Sequence, residues 1–218
     1  MSLRMVVANK RYSSWSLRPW LVATHFGIPF EEIPIDLAAP DFKAAILRHS
    51  PSGRVPCLID GDIRVWETLA IIEYLAETYP DRPIWPTDRA ARALARAVAN
   101  EMHAGFQGLR SACPMNLRRR FARKDRGAAA GADVARIEAL WREARARFGA
   151  DGPFLFGAFS AADAMYAPVA FRLDGYDWDI AADSRAYVDA LLALPATRAW
   201  IAGAAAETSI VADDEIDE

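Results

Sequence analysis

The feature that most constrains this chain is an abrupt change of character at Tyr79-Pro80-Asp81-Arg82-Pro83-Ile84-Trp85-Pro86, where three prolines fall within eight residues. Proline fixes φ and removes a backbone donor, so such a run is a stiff connector that continues neither a helix nor a central strand. Before it, short β-type runs alternate with helical ones; after it, nothing reads as a strand. The expected organisation is a unit at residues 1–80, a linker at 81–87 and an all-helical unit at 88–218.

In the first unit the apolar patterns predict a strand over Leu3–Ala8, a helix over Leu17–Phe26 stopped at Gly27, and a strand over Phe30–Ile35. A short helix over Asp41–His49 is ended by Ser50-Pro51-Ser52-Gly53. Pro56–Asp60 and Ile63–Trp66 flank Gly61-Asp62 at hairpin spacing, and Glu67–Tyr79 is amphipathic. The order β-α-β-α-β-β-α, with a right-handed crossover and a terminal hairpin, makes a mixed four-stranded sheet. In the second unit helices are expected over Asp88–Cys113, Ala132–Phe148, Ala161–Arg172, Ser184–Leu194 and Ala196–Glu207, with a disordered acidic tail at Asp213–Glu218.

Charge and cysteine usage narrow the function. A net charge of −3 without a long basic stripe argues against a nucleic-acid partner. The run Arg118, Arg119, Arg120, Arg123, Lys124, Arg126 reads as a solvated helix face. No stretch has the length of an uncharged membrane span, and the first residues are too weakly apolar for a signal peptide. Cys57 and Cys113 have neither CxxC nor metal-ligand spacing, and the three histidines are scattered. No disulfide framework and no metal are expected, which fits a reducing, cytoplasmic setting.

Three segments carry candidate chemistry. Ser13-Ser14-Trp15-Ser16 lies where the first strand turns into the first helix, at the carboxyl end of a strand where open α/β sheets hold ligands. The helix N-terminus there offers free N–H groups and partial positive charge, and a hydroxyl can donate to an anion. One serine is needed as a helix cap; three in four positions exceed that need. Val55-Pro56, ahead of a strand, is a candidate cis bond that would leave the backbone of Val55 open to an added peptide strand. Glu67-Thr68 either complements the dipole of the third helix or holds the charged end of a ligand. Ser160-Ala161-Ala162-Asp163 is a capping-box variant with a structural role. Cys57 and His103 read as packed residues of a strand and a helix.

Taken in order, these segments resemble the glutathione transferase superfamily over roughly residues 3–207. Ser13-Ser14-Trp15-Ser16-Leu17-Arg18 is similar to the zeta-class Ser-Ser-Cys-Ser-x-Arg signature, with tryptophan in place of cysteine. Arg54-Val55-Pro56-Cys57-Leu58 resembles the family's cis-proline segment, Glu67-Thr68-Leu69-Ala70-Ile71 its Glu/Gln-Ser-x-Ala-Ile motif, and Ser160 to Asp163 its helical-domain capping box. The resemblance implies an α/β thioredoxin-like N-terminal domain that binds glutathione and an all-α C-terminal domain that supplies a pocket for a small hydrophobic electrophile. It also implies a homodimer paired through residues from about 67 to 110.

Residue by residue, the resemblance makes Ser13 the thiol-activating hydroxyl, with Ser14 its nearest rival. Trp15 stands beside the ligand, Val55 with Pro56 pairs with the cysteinyl backbone, and Glu67 and Thr68 hold the γ-glutamyl end. Gly53 stands where zeta-class members carry a lysine, which leaves Arg54 for the glycyl carboxylate. With serines in place of a redox cysteine pair, the nucleophile comes from the ligand. The implied activity is attack of a glutathione thiolate on an electrophile. The alternatives are glutathione-dependent cis–trans isomerisation, as in maleylacetoacetate isomerases, and a non-catalytic glutathione-fold binding protein.

Overall fold

The computed structural model describes residues 3–216. Its first half is built on β1 (Leu3–Ala8), α1 (Ser14–His25), β2 (Phe30–Ile35), α2 (Phe42–Leu47), β3 (Cys57–Asp60), β4 (Ile63–Trp66) and α3 (Thr68–Thr78). β1 pairs in parallel with β2 and antiparallel with β3, and β3 pairs with β4, giving the order β2-β1-β3-β4. Alternation along the central strands divides the two faces. Leu3, Met5, Val7 and Leu58 join the main core with α1 and α3, whereas Val6, Cys57 and Ile59 meet Ile35 and Ile46 in a smaller core beneath α2. Gly27 ends α1 at φ +63, the left-handed geometry expected of that position.

The second half holds α4 (Arg89–Ala104), α5 (Gln107–Ala112), α6 (Ala128–Phe148), α7 (Ala161–Gly175), α8 (Ala182–Ala193) and α9 (Pro195–Ala206), then a single 3₁₀ turn at Ala212–Asp214. None of the helices among the described residues is long and apolar enough to cross a membrane. The central helix α7 is buried nearly all round and contacts α1, α4 and α8. Consequently the main core runs without a break from the sheet through α1 and α3 into the helical half. The proline-rich connector shares in it: Ile84 and Trp85 are buried, and the carbonyl of Ile84 accepts a hydrogen bond from Ala161 N at 2.7 Å.

Three sequence expectations are corrected. The helix anticipated over Asp88–Cys113 is two helices, broken at Gly105 and at Phe106, which sits at φ +59 in the left-handed region. A Cβ at Gly105 would lie 2.9 Å from the carbonyl oxygen of Glu101, so only glycine tolerates this approach. The run Arg118–Arg126 is not a helix face. It crosses between α5 and α6 as irregular chain, and its arginines pair with Glu215, Asp174 and Asp177.

The acidic tail, as far as residue 216, is ordered by specific bonds. Tyr12 Oη donates to Glu215 at 2.7 Å, Asn116 Nδ2 donates to the Asp214 carbonyl at 3.3 Å, and Arg118 pairs with Glu215 at 3.2 Å. Asp217 and Glu218 of that expectation lie outside the described residues. Composition announces the charge of the tail but not the arginines waiting for it a hundred residues earlier.

Candidate active site

Between the two halves lies a cavity of about 420 Å³, lined by Trp15, Arg54, Val55, Pro56, Glu67, Thr68, His103, Ala104 and Arg110. The structure therefore gathers all six residues that the resemblance marked as ligand-contacting, from three separate segments of the first half: the start of α1, the chain ahead of β3 and the start of α3. The Val55-Pro56 bond is cis. The backbone N–H and C=O of Val55 form no hydrogen bond with the described residues, which leaves an open strand edge facing the cavity.

Glu67 stands at φ +70 as the N-cap of α3, and its side chain makes no capping hydrogen bond. Positive φ is costly for a residue with a long side chain, and it is tolerated where surrounding structure enforces it. Thr68 is buried, and its hydroxyl donates to the carbonyl of Trp15 at 3.1 Å. That carbonyl is free because residue 19, its normal helical partner four positions on, is proline and carries no N–H. Pro19 thus ties the first turn of α1 to the first turn of α3.

The two candidate serines are separated by their bonding. Ser13 is the N-cap of α1: its oxygen accepts from Ser16 N at 3.3 Å, and its hydroxyl donates to Ser16 Oγ at 2.8 Å. Ser16 is wholly buried and accepts from Ala8 N at 3.1 Å, which anchors the cap to the end of β1. Ser14 forms no side-chain hydrogen bond with the described residues. Neither serine is among the cavity-lining residues; both sit at the turn that presents Trp15 to it.

Electrostatics on the far wall were not foreseen. His103, read from the sequence as an ordinary helix residue, lines the cavity with Nε2 at 3.9 Å from Glu67 and a buried Nδ1 that has no partner. Burial, together with Arg18 and Arg110, lowers its pKa against the opposing pull of Glu67, so the ring is neutral at pH 7. It meets Trp15 edge-on, with ring centroids 5.2 Å apart. Arg110 also lines the cavity, its guanidinium carbon 4.6 Å from the Trp15 ring centroid, and that of Arg18 lies 4.5 Å from the same centroid. Both arginines have their pKa lowered by burial. Glu67 is the one carboxylate among the cavity-lining residues, against the side chains of Arg54 and Arg110.

Comparison with known proteins agrees with this geometry. Residues 12–78 match the model of the glutathione S-transferase N-terminal domain, and residues 118–203 match that of its C-terminal domain. The chain belongs to the glutathione S-transferase family. A zeta-class glutathione S-transferase of Euphorbia esula is 32% identical over 105 residues, 48% of this chain and 47% of its own. A probable maleylacetoacetate isomerase of Caenorhabditis elegans is 37% identical over 97 residues, 44% of each chain.

The glutathione S-transferase chain thus spans about half the length of the curated relatives it matches. Among solved structures, a glutathione transferase homologue from Burkholderia with bound glutathione superposes with a TM-score of 0.72 at 22% identity, covering 94% of this chain and 99% of that one. A diazinon-metabolising glutathione S-transferase of the silkworm Bombyx mori has the same TM-score at 16% identity, covering 94% and 97%. At these identities the structures establish the shared fold.

Proposed function

We propose that this chain is a glutathione transferase that binds glutathione in the cavity, holds its thiol as thiolate and directs it at a small hydrophobic electrophile. The observation that carries this reading is the convergence of the unpaired Val55 backbone, Glu67, Thr68 and Arg54 on one cavity beside the N-terminus of α1. A tripeptide with two carboxylates and one ammonium suits these groups. The open edge at Val55 pairs with the cysteinyl unit as a short added strand. Glu67 takes the ammonium, Thr68 lies by the γ-glutamyl carboxylate, and Arg54 takes the glycyl carboxylate.

The chemistry requires the anion. A thiol of pKa about 8.5 is mostly protonated at neutral pH, and lowering it by two units takes about 2.7 kcal/mol of preference for the charged form. A hydroxyl donating to a charged acceptor supplies about 1.5–3 kcal/mol, and a helix N-terminus about 0.3–1. The family resemblance put Ser13 first for this role, with Ser14 its nearest rival. The bonding favours Ser14, because the Ser13 proton is spent on Ser16 whereas Ser14 has no competing partner. The sulfur lone pair then forms a C–S bond, and the displaced group leaves with its bonding electrons. When the electrophile is an activated alkene, the resulting carbanion takes a proton instead.

Reversible addition followed by elimination of the same thiolate would make the chain a cis–trans isomerase, and the similarity to a probable maleylacetoacetate isomerase favours keeping that second reading. We further propose a homodimer paired through the region of α3 and α4, to be checked by sedimentation at micromolar concentration. The deciding experiment mixes the protein with glutathione and follows thiolate absorbance against pH, alongside a panel of electrophiles and a cis-configured diacid. A depressed thiol pKa with conjugate formation supports the transferase. Product of unchanged composition supports the isomerase. Glutathione binding without ionisation leaves only a binding protein. Glu67→Ala should raise the KM for glutathione with little change in kcat, since Glu67 meets a part of the ligand that does not react.

A further inference from the structure

Arg18 is a charged side chain with 0% exposure, and its environment is not that of a structural ion pair. Nε donates to the carbonyl of Met165 at 3.0 Å and Nη1 to the carbonyl of Ser14 at 3.1 Å. Nη2 is buried with no hydrogen-bond partner. The charges that act on it are themselves positive, Arg172 from α7 and Arg110 from α5. Arg172 is buried too, spending its donors on the carbonyls of Cys113 and Pro168.

Stranding a guanidinium among like charges is expensive, and natural cores avoid it unless something compensates. Guanidinium stays protonated in proteins, so Arg18 does not escape the cost by losing its proton. No carboxylate among the described residues pairs with it, and a bound anion would supply the missing compensation. The direction of that anion is set by the stack: Arg18 lies against Trp15, Trp15 lines the cavity, and the Nη1 bond of Arg18 is to the backbone of Ser14. Arg110 lies within 4.6 Å of the same indole ring, and it too borders the cavity.

We propose that Arg18 is the fixed positive charge that poises this site for a thiolate, acting from behind Trp15 and through the Ser14 backbone rather than by touching the sulfur. It is a positioning residue. Arg110 adds to the same field from the cavity wall. This inference rests on the glutathione reading and deepens it, because it assigns part of the thiol activation to a residue with no hydroxyl. The other groups facing the assembly are Arg172 on α7, neutral His103 on α4 and Glu67 ahead of α3. Glu67 opposes the field at the cavity, where its charge is offset when it takes up the ligand's ammonium, and Asp214 acts on Arg172 from the C-terminal segment. Across one indole thickness plus a contact distance, roughly 8 Å in all, a unit charge at an effective dielectric of about 20 shifts a titrating neighbour by about one to two pKa units.

The test titrates the thiolate absorbance of bound glutathione at saturation in the wild type, Arg18→Met and Arg110→Met, with a urea midpoint for each. Arg18→Met is expected to raise the bound thiol's pKa by about one to two units. The rate at neutral pH should fall about 10- to 100-fold and recover as pH rises. The shift should persist in high salt, because a buried charge is poorly screened. Arg110→Met, partly solvated, should shift the same way by less. Should Arg18→Met fail to fold, Arg110→Met decides: a shift of that sign supports the proposal and an unchanged pKa overturns it. A folded Arg18→Met whose bound thiol titrates as in the wild type also overturns it, however much stability is lost. A wild type that does not bind glutathione at all sinks the functional reading and this inference together, whereas binding with unshifted variants sinks this inference alone.

Discussion

The N-termini of α1 and α7 are both capped at a serine, Ser13 and Ser160, and both lie in the interior, yet their first turns are charged in opposite ways. At α7 the third helical residue is Asp163. Its carboxylate is fully buried and accepts from Ser160 N, Ser160 Oγ, Leu155 N and Tyr187 Oη, all within 3.0 Å. At α1 the first turn holds no acid, and the buried charge beside it is Arg18, with one nitrogen unpartnered. The first arrangement is closed: every lone pair is used within the chain. The second is open and electropositive, so it has something left to offer a ligand. The lesson is that a helix start becomes a site by what it leaves unsatisfied.

The largest effect that sharpens this contrast is expected at Asp163. Asp163→Ala strands four donors in a dry interior and should cost about 4 kcal/mol of unfolding free energy. Urea denaturation measures this, while the activity of the fraction that stays folded should hardly change. Strong loss of activity per folded molecule would break the division between a structural start and a functional one.

A pH effect at the same residue comes next. Burial pushes the Asp163 carboxyl up to about 6 from an ordinary 3.8, against its donors. The native state therefore holds this proton more tightly than the unfolded chain, so its contribution is fully present below about pH 4 and is lost as pH rises through about 6. The stability advantage of the wild type over Asp163→Asn should accordingly widen by up to about 3 kcal/mol between pH 7 and pH 4. An advantage that narrows on acidification would show that the donors, not burial, dominate.

At α1 the expected losses are kinetic before they are structural. Ser14→Ala should slow turnover about 10- to 150-fold at neutral pH, equivalent to about 1.5–3 kcal/mol, with recovery at high pH and little loss of stability. The smallest effect is that of Ser13→Ala. As a lost cap it should cost about 1 kcal/mol of stability and leave the pH–rate profile in place. If instead Ser13→Ala shifts that profile and Ser14→Ala does not, the hydroxyl of Ser13 must leave Ser16 to meet the ligand, and the two serines exchange roles.

The sheet half was largely legible in the sequence because its signals are local. Leu3–Ala8, Phe30–Ile35 and Ile63–Trp66 fall on the strands observed, since Gly27, the Ser50-Pro51-Ser52-Gly53 turn and the Gly61-Asp62 turn punctuate short β-type runs. The residues around the cavity from that half were legible for the same reason, each being part of a short motif at a strand end. His103 and Arg110 were not, because they come from two helices that the pattern had fused into one. A lone glycine within an apolar period does not announce a break, and the left-handed turn at Phe106 is followed by a long-range bond that no local pattern encodes, Leu109 N donating to Asp133 at 2.9 Å. Arg18 stood inside a recognised motif without a role. Its meaning lies in the like charges that face it, Arg172 from α7 and Arg110 from α5, with no carboxylate paired to it among the described residues, and no spacing along the chain encodes that.

The unbroken core has a consequence for anyone who would recombine this molecule. The proline-rich segment looks like a place to cut, but the outer sides of α1 and α3 are the inner lining of the other half, with Leu17, Leu21, Ile72 and Leu75 sharing one interior with Val98, Met165 and Trp200. Grafting a foreign helical half onto residues 1–80 would set an unmatched surface against those side chains. A working chimera must therefore take the side chains of α1 and α3 that face the helical half from the same parent as that half, rather than change parents wholesale at the prolines.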